Sequence, residues 1–264
     1  MNEVFGTPLF VAQFGGGRPL LCLHGIEAHG LRYVALAGRL ANVRVVAPDL
    51  RGHANSPRHG PWTMAQHMAD LTPILRALGP DTVVLGHSYG GLIAWELART
   101  MPDALRGLIL VDPAIGVTST TAEEGVAFSG IHAAWPDERA ALEGLLAQRQ
   151  PSAWWAAALE FANTLERTPD GALRPSVAEE AVRNGWAQMH EPIRSSSWRG
   201  ATLLLEAALE NGRFIPSESV TALRHELGDA LDHRLLDVTH TIPSDHPDLL
   251  AGLVKDFMAR LGGR

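Results

Sequence analysis

One cysteine, Cys22, stands in the 264 residues, so the chain has no pair from which to build an internal disulfide. It lies inside the apolar run 20–23 and reads as a buried strand residue. Positive charge is also short: 22 Lys and Arg against 29 Asp and Glu leave a formal charge of −7. Nucleic acid and anionic membrane surfaces both require clustered basic side chains, and neither is an expected partner. No apolar stretch approaches the roughly 20 residues of a membrane span. No basic segment followed by an apolar run opens the chain. These absences lead to the expectation of a cytoplasmic protein. They leave its oligomeric state open.

What is present is apolar mass, 46% of the residues, enough for a sizeable core. Short β-type runs alternate with helical ones, the pattern of an α/β protein with a mostly parallel central sheet flanked by helices. Strands are expected at 19–24, 43–47, 82–85, 105–111, 201–205 and 233–238. Helices are expected at 31–41, 63–78, 92–101 and 216–227, with a closing helix beyond His246. Residues 4–14 read as a hairpin at the sheet edge. The alternation stops between 113 and 199, where helix-favouring residues and five of the seven tryptophans collect. An insert of that size after one strand of a parallel sheet falls at the strands' C-terminal edge. The expected organisation is therefore a core of 1–113 and 200–264, with a helical lid of 114–199 covering an apolar pocket.

The most informative stretch is Gly86-His87-Ser88-Tyr89-Gly90-Gly91, between an apolar β-branched run and a helical run. Strand, G-x-S-x-G, helix is the context of a nucleophile elbow, in which the serine hydroxyl is exposed on a strained turn. A serine hydroxyl needs a base, and His240, on the loop after the last strand, is the candidate. An oxyanion would be held by two backbone N–H groups. Tyr89 follows the serine at the helix start, and Ile26 follows His24-Gly25 on the loop after the first central strand. Glu27, beside Ile26, is a candidate substrate contact, as are Trp154 and Trp155 of the insert. The carboxylate that should orient the imidazole has two possible sources. Asp112 stands at the tip of the strand ending near Val111. Glu210 lies in the loop after the strand ending near Leu205, a loop that contains no Asp.

Taken together, these residues resemble the α/β-hydrolase fold superfamily, in its serine esterase and lipase-like branch. The likeness rests on Leu23-His24-Gly25, on Pro48-Asp49-Leu50-Arg51-Gly52-His53, on the Ser88 elbow and on His240 before a closing helix. It implies that Asp49 and Arg51 pin a loop and take no part in chemistry. Two departures stand out. The family's usual acid position is occupied by Glu210 or by nothing, and some members place the acid where Asp112 stands, which favours Asp112. The usual glycine before the histidine is Thr239.

The resemblance implies hydrolysis of a carboxylic ester or lactone, a small-molecule substrate, through an acyl-enzyme on Ser88, with no cofactor and no metal. Carbon–carbon bond hydrolases and thioesterases share the same triad. A slow or non-catalytic ligand receptor shares the same pocket. The epoxide-hydrolase and dehalogenase branches use an Asp nucleophile, which Ser88 disfavours.

Overall fold

The computed structural model describes residues 4–127, 129–148, 150–208 and 214–262. In chain order the strands are β1 (Val11–Gly15), β2 (Arg18–Leu23), β3 (Val43–Pro48), β4 (Val83–His87), β5 (Gly107–Val111), β6 (Leu165–Arg167), β7 (Leu173–Pro175), β8 (Thr202–Ala207) and β9 (Leu231–Leu236). The helices are α1 (Val34–Ala37), α2 (Met64–Leu78), α3 (Tyr89–Thr100), α4 (Ser119–Ala127), α5 (Glu138–Ala147), α6 (Trp154–Asn163), α7 (Glu179–Met189), α8 (Ser217–Leu227), α9 (Ile242–Asp245) and α10 (Pro247–Leu261).

Seven strands make the central sheet in the order β1-β3-β2-β4-β5-β8-β9. Every pairing is parallel except that of β1 with β3. Both faces of this sheet are covered, which is why its central strands read as unbroken apolar runs. The period of two sorts their side chains between the faces. Leu21, Leu23, Val84, Leu108, Leu110 and Leu204 pack under α2, α3 and α8. Leu20, Cys22, Val83, Leu85, Ile109 and Leu203 pack under α1 and α10. Cys22 is fully buried, and burial pushes its thiol well up.

The chain leaves β2 toward β3 on one side, then returns across to β4 on the other. The crevice beyond the C-terminal ends of β2 and β4 is thus the topological switch point, where open α/β sheets bind ligands. Gly25 and Ser88 follow those two strands.

Three expectations need correction. At the N-terminus the edge strand forms, but no hairpin does: β1 pairs with β3, while β2 lies on the other side of β3. Gly15 and Gly17 carry the chain across, at φ of +69° and +108°, so close to the Val43 and Asn42 carbonyls that a Cβ would collide at 2.5 and 2.3 Å. The helix expected over 31–41 shrinks to a 3-10 turn and the four-residue α1. Its start is tied down instead, with Gly30 N–H donating to Asp49 and the Tyr33 hydroxyl to the Leu23 carbonyl.

The segment between β5 and β8 holds α4 to α7 as expected, and also the antiparallel pair β6–β7. A Pro169-Asp170-Gly171 turn, with Gly171 at φ +90°, closes that pair. Such a triplet is a turn signal with a mechanism, and here it marks strands too short to show a period.

Among the buried histidines, burial is the main cause holding His24, His53, His67 and His87 below the usual imidazole range. His53 and His67 are lowered to about 4. His24 accepts the Leu50 N–H on Nε2, which a protonated ring could not do. The unfolded chain takes up the His53 and His67 protons near pH 6.5, whereas the folded one does so only near 4. The unfolded state therefore binds more protons across that window, and stability falls as pH falls through it. At pH 5, His53 and His67 cost about 2 kcal/mol each. Glu27 and Asp49, raised chiefly by burial, act in the opposite sense. Calorimetry should show the melting temperature falling by roughly 5–10 °C between pH 7.5 and 5. A flat profile would contradict the neutral state of these rings.

Candidate active site

The elbow is built by close approach. A Cβ on Gly86 would lie 2.1 Å from the Gly90 carbonyl oxygen, and one on Gly90 would lie 2.2 Å from that of Leu23. Between them Ser88 adopts φ 53° and ψ −120°, a region side-chain-bearing residues rarely enter. Strain of this kind costs about 1–3 kcal/mol and persists only where the surroundings over-determine it. They do so here: Ser88 N–H donates to Val111 O at 3.1 Å, and Ser88 O accepts from Gly91 N at 2.8 Å and Ala114 N at 3.0 Å. Ser88 is thereby held at the N-terminus of α3, whose amides and dipole favour negative charge.

Asp112, fully buried at the tip of β5 with φ +40°, faces His240 with Oδ2 at 2.5 Å from Nδ1. Its other oxygen, Oδ1, accepts from Ala207 N at 3.2 Å. An acceptor at Nδ1 fixes the imidazole as the Nδ1–H tautomer and leaves Nε2 bare to take a proton. Glu210, the alternative acid, lies outside the described residues. Glu206 is spent elsewhere, as its carboxylate meets His233 Nε2 at 2.7 Å.

Two residues that the sequence did not single out flank the His240 ring. His87 donates from Nε2 to the His240 carbonyl at 2.8 Å, with ring centroids 4.9 Å apart. Phe214 lies 4.2 Å away by the same measure. Burial first, then the neighbouring His240, pushes His87 well down, so it stays neutral beside that ring.

Ser88, His240, Ile26 and Glu27 all line one cavity of about 460 Å³. Gly25 lies at its floor, where a Cβ would press on Ser88 Cβ at 3.0 Å. The Ile26 amide donates no hydrogen bond among the described residues. The Tyr89 amide is in the first turn of α3, where no intrahelical acceptor exists. Both donors are thus available on the loops that meet at Ser88. Among the described residues the Ser88 hydroxyl makes no hydrogen bond, to His240 or otherwise. In active sites of this geometry a serine–histidine bond is often long without substrate and tightens around it.

More than half of the cavity's lining comes from the segment between β5 and β8, but not through the tryptophans expected. Trp154 is 62% exposed, and neither it nor Trp155 lines the cavity. The inward face of α6 is Ala156, Ala157 and Glu160, with Ala153 just before the helix, which turns Trp154 to the outside. Trp135 and Trp186 line the cavity instead. Glu27 also lines it, with its carboxylate bound to Ser129 and Gly130. Asp49 and Arg51 point into their own loop: Asp49 accepts from Gly30 and Asn55, and Arg51 forks onto Asp70 at 2.7 and 2.8 Å.

A mostly parallel sheet with a strained serine after β4 and a histidine after β9 is the arrangement of the α/β-hydrolase fold, and the chain belongs to that family. Residues 18–246 match the family described as alpha/beta hydrolase fold. Lipase LipV of Mycobacterium tuberculosis is 29% identical, the alignment covering 97% of this chain and 98% of the lipase. Two solved structures share the fold at lower identity. The hydrolase of E-2-(acetamidomethylene)succinate superposes with a TM-score of 0.81 at 19% identity, over 95% of each chain. A marine microorganism esterase gives 0.76 at 20% identity, over 96% of this chain and all of that one. Among the described residues no helix is long and apolar enough to cross a membrane.

Proposed function

We propose that this protein is a serine hydrolase that cleaves a carboxylic ester or lactone through an acyl-enzyme on Ser88. The observation that carries the reading is the Asp112–His240 contact of 2.5 Å beside a serine held at φ 53°. His240 Nε2 takes the Ser88 proton as Oγ attacks the carbonyl carbon. The oxyanion is received by the Ile26 and Tyr89 N–H groups. Collapse breaks the carbon–oxygen bond, and His240 returns the proton to the leaving alcohol. Water, deprotonated by the same imidazole, then attacks the acyl-enzyme and releases the acid.

The segment 114–199 is the lid in this reading. It supplies Trp135 and Trp186, which with Phe214 suit a bulky apolar acyl or alcohol group. Its helix α7 packs onto the oxyanion loops, since a Cβ on Gly185 would meet Ile26 Cδ1 at 2.6 Å and the Tyr89 ring at 3.6 Å. The full-length likeness to a lipase supports ester chemistry.

The test is covalent trapping. An alkyl fluorophosphonate should transfer its phosphonyl group to the peptide containing Ser88, releasing fluoride and stopping the hydrolysis of p-nitrophenyl butyrate in step. Full labelling at another residue, or activity surviving stoichiometric labelling of Ser88, would refute the mechanism.

A further inference from the structure

We infer that the cavity excludes anionic substrates and takes esters that are uncharged or carry a cationic or hydrogen-bond-donating group, with Glu27 as the selecting residue. This rests on Ser88 being the nucleophile as proposed. The argument begins with how Glu27 is held. Ser129 donates its hydroxyl to Glu27 Oε1 at 2.5 Å, and Gly130 donates its N–H to Oε2 at 2.8 Å. Ser129 Oγ is itself the acceptor for Ile131 N–H at 3.2 Å, so its own proton is directed to Glu27. Both carboxylate oxygens accept, as an ionised group does. Both donors are neutral, and the negative charge is not cancelled by them.

The only cationic side chain among the described residues lining the cavity is Arg32, and its charge is already matched. Its guanidinium pairs with Glu160 of α6, both side chains being nearly buried. The three ionic groups therefore sum to one negative charge on the wall of a partly open cavity, with the Arg32 and Glu160 side chains nearly buried. Charges interact more strongly there than in water, and a carboxylate entering would lose its hydration and gain no counter-charge. Specificity of this kind comes from repulsion of the wrong ligand as much as from attraction of the right one. The α3 N-terminus and the Ile26 and Tyr89 amides still welcome negative charge at the reacting oxygen. The exclusion acts on a substrate's remote end. Glu27 also sits at φ +58°, a conformation that glycine or asparagine would adopt at lower cost. Its side chain is retained there despite the strain.

The test uses phenyl esters of hexanoic, adipic (one carboxyl free) and 6-aminohexanoic acids, equal in length and differing in terminal charge. A matching acetate series carries the charge on the alcohol side. In at least one series kcat/KM should be about 100-fold lower for the carboxylate than for its neutral match. Glu27→Gln should shrink that ratio at least tenfold. Glu160→Gln, which leaves the Arg32 charge unmatched, should shrink it as well. Because each ratio is taken within one protein, a general loss of activity cancels. Equal rates for carboxylate and neutral esters in both series, or a ratio untouched by Glu27→Gln, would overturn the inference. Calorimetric titration of Ser88→Ala protein with the same esters separates it from the mechanism. If the wild type cleaves no ester, the proposed function fails. Weaker binding of the carboxylates would then still support the inference, and equal binding would refute it.

Discussion

Ser88→Ala should lower kcat for p-nitrophenyl butyrate at least about 10³-fold while leaving the fold intact. A factor of 10³ is about 4 kcal/mol of transition-state stabilisation, more than loss of one neutral hydrogen bond would give. The alanine cannot form the acyl-enzyme, so whatever rate remains comes from the Ile26 and Tyr89 amides and from binding. The stability side of the prediction is as specific. The Ser88 hydroxyl makes no hydrogen bond among the described residues, and the bonds that hold the elbow are to its backbone. Alanine keeps that backbone and the same strain, so the melting temperature should move by no more than about 2 °C. A variant that loses activity by unfolding would show up at once in a thermal scan. Activity within tenfold of wild type, with the scan unchanged, would show that Ser88 is not the nucleophile.

How far the sequence anticipates this site depends on whether a feature is local. The elbow, the His24-Gly25 loop and the position of His240 are short-range patterns. Gly86 and Gly90 of the elbow answer to backbone oxygens 2.1 and 2.2 Å from where a Cβ would stand, so that motif carries its own geometry. The parallel sheet is legible for a similar reason, since strands covered on both faces must be apolar throughout. The insert is harder. Its helices were expected to present tryptophan inward, yet α6 packs by Ala156, Ala157 and Glu160, and residue type gives no phase for a helix apolar on several sides. The Arg32–Glu160 and Glu27–Ser129 contacts join residues more than 100 positions apart. The same is true of the His87–His240 contact, and Phe214 packs on the His240 ring from a loop that carries no motif. No local pattern announces such pairs.

The acid is the case where two readings of the sequence stood side by side, and Asp112→Asn should distinguish them with a loss of about 10⁴ in kcat. The reason lies in the second partner of Asp112. Oδ1 accepts from Ala207 N–H and Oδ2 faces His240 Nδ1. An asparagine has one acceptor and one donor group to offer these two places. If its oxygen stays with the Ala207 amide, its NH₂ faces Nδ1 and forces the Nε2–H tautomer, which cannot take the serine proton. If it flips, NH₂ meets the Ala207 N–H donor in a buried site, and an unmet pair of donors costs about 1–3 kcal/mol. The first arrangement is preferred, so the fold is kept and the base is disabled. KM should change little, because Asp112 is fully buried behind the histidine and does not line the cavity. Glu210→Gln should stay within about twofold of wild type, because in this reading Asp112 already holds the place beside His240 Nδ1. Near-normal turnover in Asp112→Asn with a collapse in Glu210→Gln would transfer the role to Glu210. It would also mean that the 2.5 Å contact serves only to anchor the loop after β9.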